Sequence, residues 1–168
     1  DDALLMARTP ALARKALERA KEVIEGQLGL RVHPDKTRIV TVWQGVPYLG
    51  FELKQGREGK LMAWVKYKAV ERFRERVSAL TRRNQPISIG EMLRQLTSYL
   101  RGWGTYFTRA TQRTLFHKLD TWVARRVWSF IAKRWKSYTW RRYSYRRLYG
   151  ECSLVSLERM RTSRTRPK

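Results

Sequence analysis

The sequence predicts an α+β chain in which a strand, a helix and antiparallel hairpins over residues 1–65 precede an all-helical part over residues 66–150 and a basic tail over 151–168. Three observations predict this. Apolar residues recur with helical period between Thr9 and Gly29. Short β-branched and aromatic runs separated by Gly or Pro turns fill the stretch from Lys36 to Val65. After Lys66 the pattern reads as helix after helix.

Charge divides at the same place. Residues 1–65 hold 11 basic and 8 acidic residues, a net of 11 − 8 = +3. Residues 66–168 hold 26 basic and 6 acidic residues, a net of 26 − 6 = +20. A boundary near Lys66 follows. A chain of 168 residues that is 42% hydrophobic and 12% aromatic has material for a core, which excludes wholesale disorder.

Each element has its own local reason. "DDALLMA", residues 1–7, reads as the end of a strand. A helix follows, with Thr9 as its cap, Pro10 at the first helical position and Gly29 at its stop. Leu12, Ala16, Ala20, Val23 and Ile24 form its apolar face. "KTRIVTVW", residues 36–43, is expected to be a β-branched strand, "YLGFEL" a second and "KLMAWV" a third, with "QGREG" as a turn.

The helical part opens with "YKAVERFRERVSALTRR" and breaks at "NQP". "SIGE" then offers a capping box, with Ser88 at the cap and Glu91 three residues later. The second helix runs to Phe107, where Gly102 and Gly104 either weaken it or admit close packing. A third runs from about Thr114 to Trp135. "RTSRTRPK" has no apolar pattern, so the tail is expected to be partly disordered.

Composition also narrows function. The pI of about 11.2 points to a polyanionic partner, nucleic acid first and an acidic membrane surface second. No stretch approaches the ~20 apolar residues of a membrane span, and no signal-peptide pattern is visible. The single cysteine, Cys152, excludes an internal disulfide and a Cys-pair zinc site. His33 and His117 lack metal-ligand spacing. A reducing, intracellular setting, cytoplasmic in a bacterium, fits this usage. The chain has no initiator Met, so its N-terminus is read as a cut end.

Of 20 aromatic residues, 14 lie between Tyr99 and Tyr149, interleaved with Arg and Lys. Most belong in a core. On the third helix, residues ~100° apart place Leu119, Val123, Val127 and Phe130 on one side. Trp128 and Trp135 fall on the other, beside Lys118, Arg125 and Lys136. Either the tail packs there or RNA stacks there. Further basic and aromatic candidates for nucleic-acid contact are Arg101, Trp103, Lys133, Arg141, Arg142, Arg146 and Arg147.

The ordered series Asp1-Asp2, Pro34-Asp35-Lys36-Thr37-Arg38, Tyr48-Leu49-Gly50-Phe51 and "LRGWGTYF" (Leu100 to Phe107) resembles the C-terminal half of group II intron-encoded reverse transcriptases. "FHKLDTWVARRVWSFIAKRW" is similar to the helix that follows in the maturase-specific region, or domain X. The likeness spans about residues 1–150. It implies that 1–65 are the end of a polymerase palm and 66–150 the helical thumb/maturase domain.

The resemblance also implies residue roles. Asp1 and Asp2 would be the paired carboxylates of a partial Mg²⁺ site, since two-metal phosphoryl transfer needs hard oxygen ligands. Lys36 would neutralise or protonate departing pyrophosphate. Tyr48, Leu49, Gly50 and Phe51 would grip the primer, although taken alone the apolar three also read as sheet core. Gly50 inside a strand would mark close approach of another backbone.

The implied partners are group II intron RNA, an RNA template/DNA primer duplex and an upstream fingers–palm portion of the same protein, with no membrane. The family takes a further Asp from an earlier strand, and neither that Asp nor the fingers lies in this chain. Catalysis by this chain alone therefore stays open. Two alternatives remain at this level: the reverse transcriptase of a domesticated, defence-associated relative, and a non-catalytic basic RNA-binding protein.

Overall fold

A computed structural model of the chain describes residues 2–132, 145–150, 152 and 154–165. The chain divides into two compact units, Asp1–Leu61 and Met62–Lys168.

The first unit begins with α1, Pro10–Lys21. Thr9 is its cap in extended conformation, and its hydroxyl accepts the Leu12 N–H at 3.2 Å. Pro10 costs no hydrogen bond there, because a first-turn N–H has no partner within the helix. The helix widens into a π-helical stretch, Glu22–Gln27. It ends where Gly29 takes φ +63 and the Leu30 N–H reaches back to the Ile24 carbonyl at 3.0 Å. That left-handed residue is one glycine adopts without steric cost.

The expected strand at "DDALLMA" does not form over its described residues, which are irregular. "KTRIVTVW" does not form a strand either. A single 3₁₀ turn holds Pro34–Lys36, and another holds Val42–Gln44. Between them Thr37 and Thr41 are extended, at φ −93, ψ 111 and φ −85, ψ 143. The β-branched residues thus take the backbone they favour, but a strand also needs a hydrogen-bonded neighbour, and none pairs here among the described residues.

"YLGFEL" is not one strand. It splits into β1, Val46–Tyr48, and β2, Phe51–Gln55, which pair antiparallel with Tyr48 opposite Phe51. Leu49 and Gly50 make the two-residue turn with φ +44 and +80. Two positive φ values in succession give the primed turn whose twist matches a hairpin. Gly50 therefore serves the turn, not close approach within a strand. With β3, Leu61–Val65, the strands form one sheet in the order β1-β2-β3.

The second unit is helical after β3. Its helices are α2, Tyr67–Leu80; α3, Ile89–Phe107; α4, Arg113–Ala132; α5, Tyr145–Tyr149; and α6, Leu157–Thr165. The Ser88 hydroxyl caps α3 by accepting the Glu91 N–H at 3.1 Å. The Glu91 carboxylate then takes Arg94 at 2.7 Å and Gln95 at 2.6 Å rather than closing the capping box.

The core is built from Phe73 and Val77 of α2, Met92, Leu96 and Leu100 of α3, and Phe116, Leu119, Val123 and Val127 of α4. Each set recurs at three- or four-residue spacing, so each helix turns one apolar stripe inward. Part of the tail is ordered as well. Leu157 of α6 is fully buried, and Gly104 of α3 lies under it. A Cβ at Gly104 would meet Met160 Sδ at 2.8 Å and Leu157 Cδ2 at 3.0 Å. Of the two readings of these glycines, close packing is right for Gly104. A Cβ at Gly102 would meet open space.

By contrast, no described residue of the first unit is buried. Leu5, Met6, Leu12, Leu28, Leu30, Ile39 and Trp43 are all exposed there.

Candidate nucleic-acid interface

Helix α4 is amphipathic in an unusual way. Its inward stripe is apolar, and its only acid, Asp120, is buried at 2% exposure. Asp120 is consumed internally. Its Oδ1 accepts the Leu157 N–H at 3.0 Å, and its Oδ2 accepts the Glu158 N–H at 3.0 Å and the Ser156 hydroxyl at 2.8 Å. It therefore caps α6 from another helix. Burial pushes its carboxyl above the usual carboxylate range, against the opposing pull of these hydrogen bonds.

With its acid withdrawn, the charged side chains that α4 itself puts on its outer face are basic, and the Glu158 carboxylate of α6 reaches His117 there at 3.0 Å. Arg113, Lys118 and Arg125 are all exposed. Lys118 and Arg125 stand seven residues apart, about two helical turns, and so on one side. Arg101 is exposed on α3, and Arg147 on α5. These four candidates from the sequence lie at the surface of the second unit.

Trp103 and Trp128 do not. Trp103 is buried, with ring centroids 4.6 Å from Phe73 and 4.6 Å from Phe107. Trp128 is 6% exposed, the same as Phe130. A ring without a free face offers nothing for a base to stack on. Among the described residues, the exposed rings of this unit lie elsewhere, on Trp64, Tyr67 and Tyr106, with Tyr67 74% exposed between Lys66 and Lys68. Sequence reasoning passed over Trp64 and Tyr67 because it centred the aromatic signal on Tyr99–Tyr149, and within that stretch it did not separate Tyr106 from the core rings.

Asp2 is exposed, and its backbone carbonyl accepts a long bond, 3.4 Å, from the Tyr48 hydroxyl. The structure thus brings two of the first unit's candidates together. Lys36 is exposed at the end of its 3₁₀ turn. Leu49 is exposed, while Tyr48, Gly50 and Phe51 are half-buried. Asp1, Lys133, Lys136, Arg141 and Arg142 lie outside the described residues, as does Trp135. Arg146 belongs to α5. Among the described residues no group of three or more His, Cys, Asp or Glu gathers as a metal site. Asp2 by itself is too few oxygens to hold Mg²⁺.

Two basic residues that the sequence did not single out, Arg126 and Arg74, have defined contacts between α2 and α4. Arg126 donates to the Thr81 hydroxyl at 3.0 Å and to the Ser78 carbonyl at 3.1 Å. Arg74 lies 6.0 Å from the centroid of the Trp122 ring. No helix among the described residues is long and apolar enough to cross a membrane.

Residues 70–150 match the family model of the group II intron maturase-specific domain. They are a maturase-specific domain. The match takes in most of α2 and all of α3, α4 and α5, and with them Arg101, Arg113, Lys118, Arg125 and Arg147. It ties the chain to group II intron maturases, proteins of intron splicing whose partner is the intron RNA. No curated protein matches the chain.

Proposed function

We propose that this chain is the C-terminal part of a group II intron-encoded reverse transcriptase. Its maturase-specific domain binds intron RNA to assist splicing and holds a primer–template duplex during RNA-directed DNA synthesis. The observation that carries this is the outer face of α4. Inside the matched stretch, the helix's one acid is buried and engaged, and Arg113, Lys118 and Arg125 face outward. Phosphate backbones bind such faces by releasing counterions.

Residues 1–65 are the end of the palm in this reading. Nine large exposed apolar side chains, and no buried residue among the described residues of the first unit, support it, because a piece of a larger sheet layer leaves its faces bare. The fingers and the rest of the palm would cover them. Asp1 and Asp2 supply carboxylates to Mg²⁺ only with further ligands from that portion, Lys36 faces the departing pyrophosphate, and the Tyr48–Phe51 hairpin touches the primer. Work on intron RNA keeps the protein inside the cell.

Titration of a structured RNA at several salt concentrations tests the reading. Each phosphate neutralised contributes about −0.7 to −0.9 to the log–log slope, so a steep dependence is expected. A flat dependence overturns it. The chain alone, given primer, template, Mg²⁺ and nucleotides, is expected not to extend the primer.

A further inference from the structure

A cleft of about 520 Å³ opens at the C-terminal end of α2. Arg82, Arg83, Asn84, Gln85, Pro86 and Arg126 line it, and no carboxylate is among them. A helix C-terminus ordinarily carries about half a negative charge on its unpaired carbonyls and repels anions. Here three of those carbonyls are taken. The Thr81 hydroxyl donates to the Val77 carbonyl at 2.7 Å, Arg126 to Ser78 at 3.1 Å, and the Gln85 amide to Ala79 at 2.7 Å. The Gln85 N–H closes the turn on the Arg82 carbonyl at 3.3 Å.

This wiring has two effects. It fixes the turn from Arg82 to Gln85 against α2. It also offsets the helix's negative end with the Arg126 guanidinium, so the charges of Arg82 and Arg83 add to an already neutralised end. Burial and the neighbouring Arg83 charge both hold Arg126 below the usual guanidinium range. Like charges gathered in one pocket favour an anion that would relieve them.

We propose that this cleft seats a backbone phosphate of RNA, clasped by the guanidinium forks of Arg82 and Arg83 with Arg126 as the positioning residue that holds the turn. Guanidinium forks match phosphate oxygens in pairs, which a point charge does not. The assignment rests on the RNA-binding reading and gives it a defined contact outside the α4 face.

The test uses the full chain and one structured RNA titrated over a series of salt concentrations. Arg82→Ala/Arg83→Ala is compared with Arg14→Ala/Lys15→Ala, an exposed pair on α1 that removes the same charge. The cleft variant is expected to bind about tenfold more weakly at low salt, with a slope shallower by at least about 0.7, the value of one phosphate. The α1 variant is expected to change neither. Both arginines are exposed, so melting should not move. If the double variant melts early, Arg82→Ala alone is read in the same way. Unchanged affinity and slope in the cleft variant, with wild type binding normally, overturn the cleft and leave RNA binding standing. Equal losses in both variants also overturn it, since total charge would then be the cause. Failure of the wild type to bind removes both readings.

Discussion

Asp120 of α4 and Leu157 of α6 are joined by a buried hydrogen bond, carboxylate Oδ1 to backbone N–H at 3.0 Å. The two residues are 37 apart in sequence. The Ser156 hydroxyl caps α6 locally by accepting the Arg159 N–H at 3.2 Å, and Asp120 adds a second cap from another helix by accepting the Leu157 N–H and, on Oδ2, the Glu158 N–H. The Tyr149 hydroxyl adds a bond to the Asp120 carbonyl at 2.9 Å.

Asp120→Ala should be the most informative single change in the second unit. It leaves the Leu157 and Glu158 N–H groups without their acceptor, at a cost of ~1–3 kcal/mol. Denaturant unfolding measures the total. Amide exchange should show α6 opening first, while α3 keeps its protection. Uniform loss of protection in both helices would contradict a local cap.

Asp120 also makes stability depend on pH. Its folded pKa lies above the usual carboxylate range, with burial as the leading cause. The folded state therefore holds this proton more tightly than the unfolded chain. The stability so contributed is full below the ordinary carboxylate pKa and is lost as pH rises through the raised value. Asp120→Asn has no such proton. The gap in melting temperature between wild type and Asp120→Asn should be widest near pH ~4 and narrow toward pH ~7. A gap that widens over that range would mean that the hydrogen bonds outweigh burial.

Gly104→Ala should overpack the crossing of α3 and α6. The new methyl meets Met160 Sδ at 2.8 Å and Leu157 Cδ2 at 3.0 Å. Overpacking costs ~1–3 kcal/mol. Met160→Ala in the same chain should return part of that loss, and a double-mutant cycle reads the coupling directly. Gly102→Ala, where a Cβ meets open space, should instead be neutral or slightly stabilising, since alanine is the better helix former by ~1 kcal/mol.

Trp128 and Arg125 separate core from contact surface. Trp128→Ala should lower stability as far as Phe130→Ala does, by ~3–5 kcal/mol, because both are 6% exposed. Arg125→Ala, at an exposed position, should leave melting within ~0.5 kcal/mol of wild type and weaken RNA binding. Thermal melts beside an affinity titration check both. A Trp128→Ala protein that melts like wild type would return that ring to the binding surface.

Local chemistry determined much of this protein. The Thr9 and Ser88 caps, the Gly29 stop and the inward stripes of α2, α3 and α4 follow from residue type and spacing within a few positions. The basic character of the second unit, and the motif that marks it as a maturase-specific domain, were legible for the same reason: they are properties of order and composition.

Tertiary structure decided what depends on residues distant in sequence. "KTRIVTVW" has strand chemistry, yet a strand is a pairing, and no local pattern states whether a partner will be present. Trp128 falls on the charged side of a helical wheel and is nonetheless buried, because a wheel shows direction along one helix and not what packs against it. Asp120 reads as one more charge in a basic helix; only the arrival of Leu157 makes it a cap. Arg126 likewise meets Ser78 and Thr81 across more than 40 residues, at 48 and 45. Hydrogen bonds and burial act over a few ångströms of space whatever the sequence separation, so these roles existed only once the helices had packed.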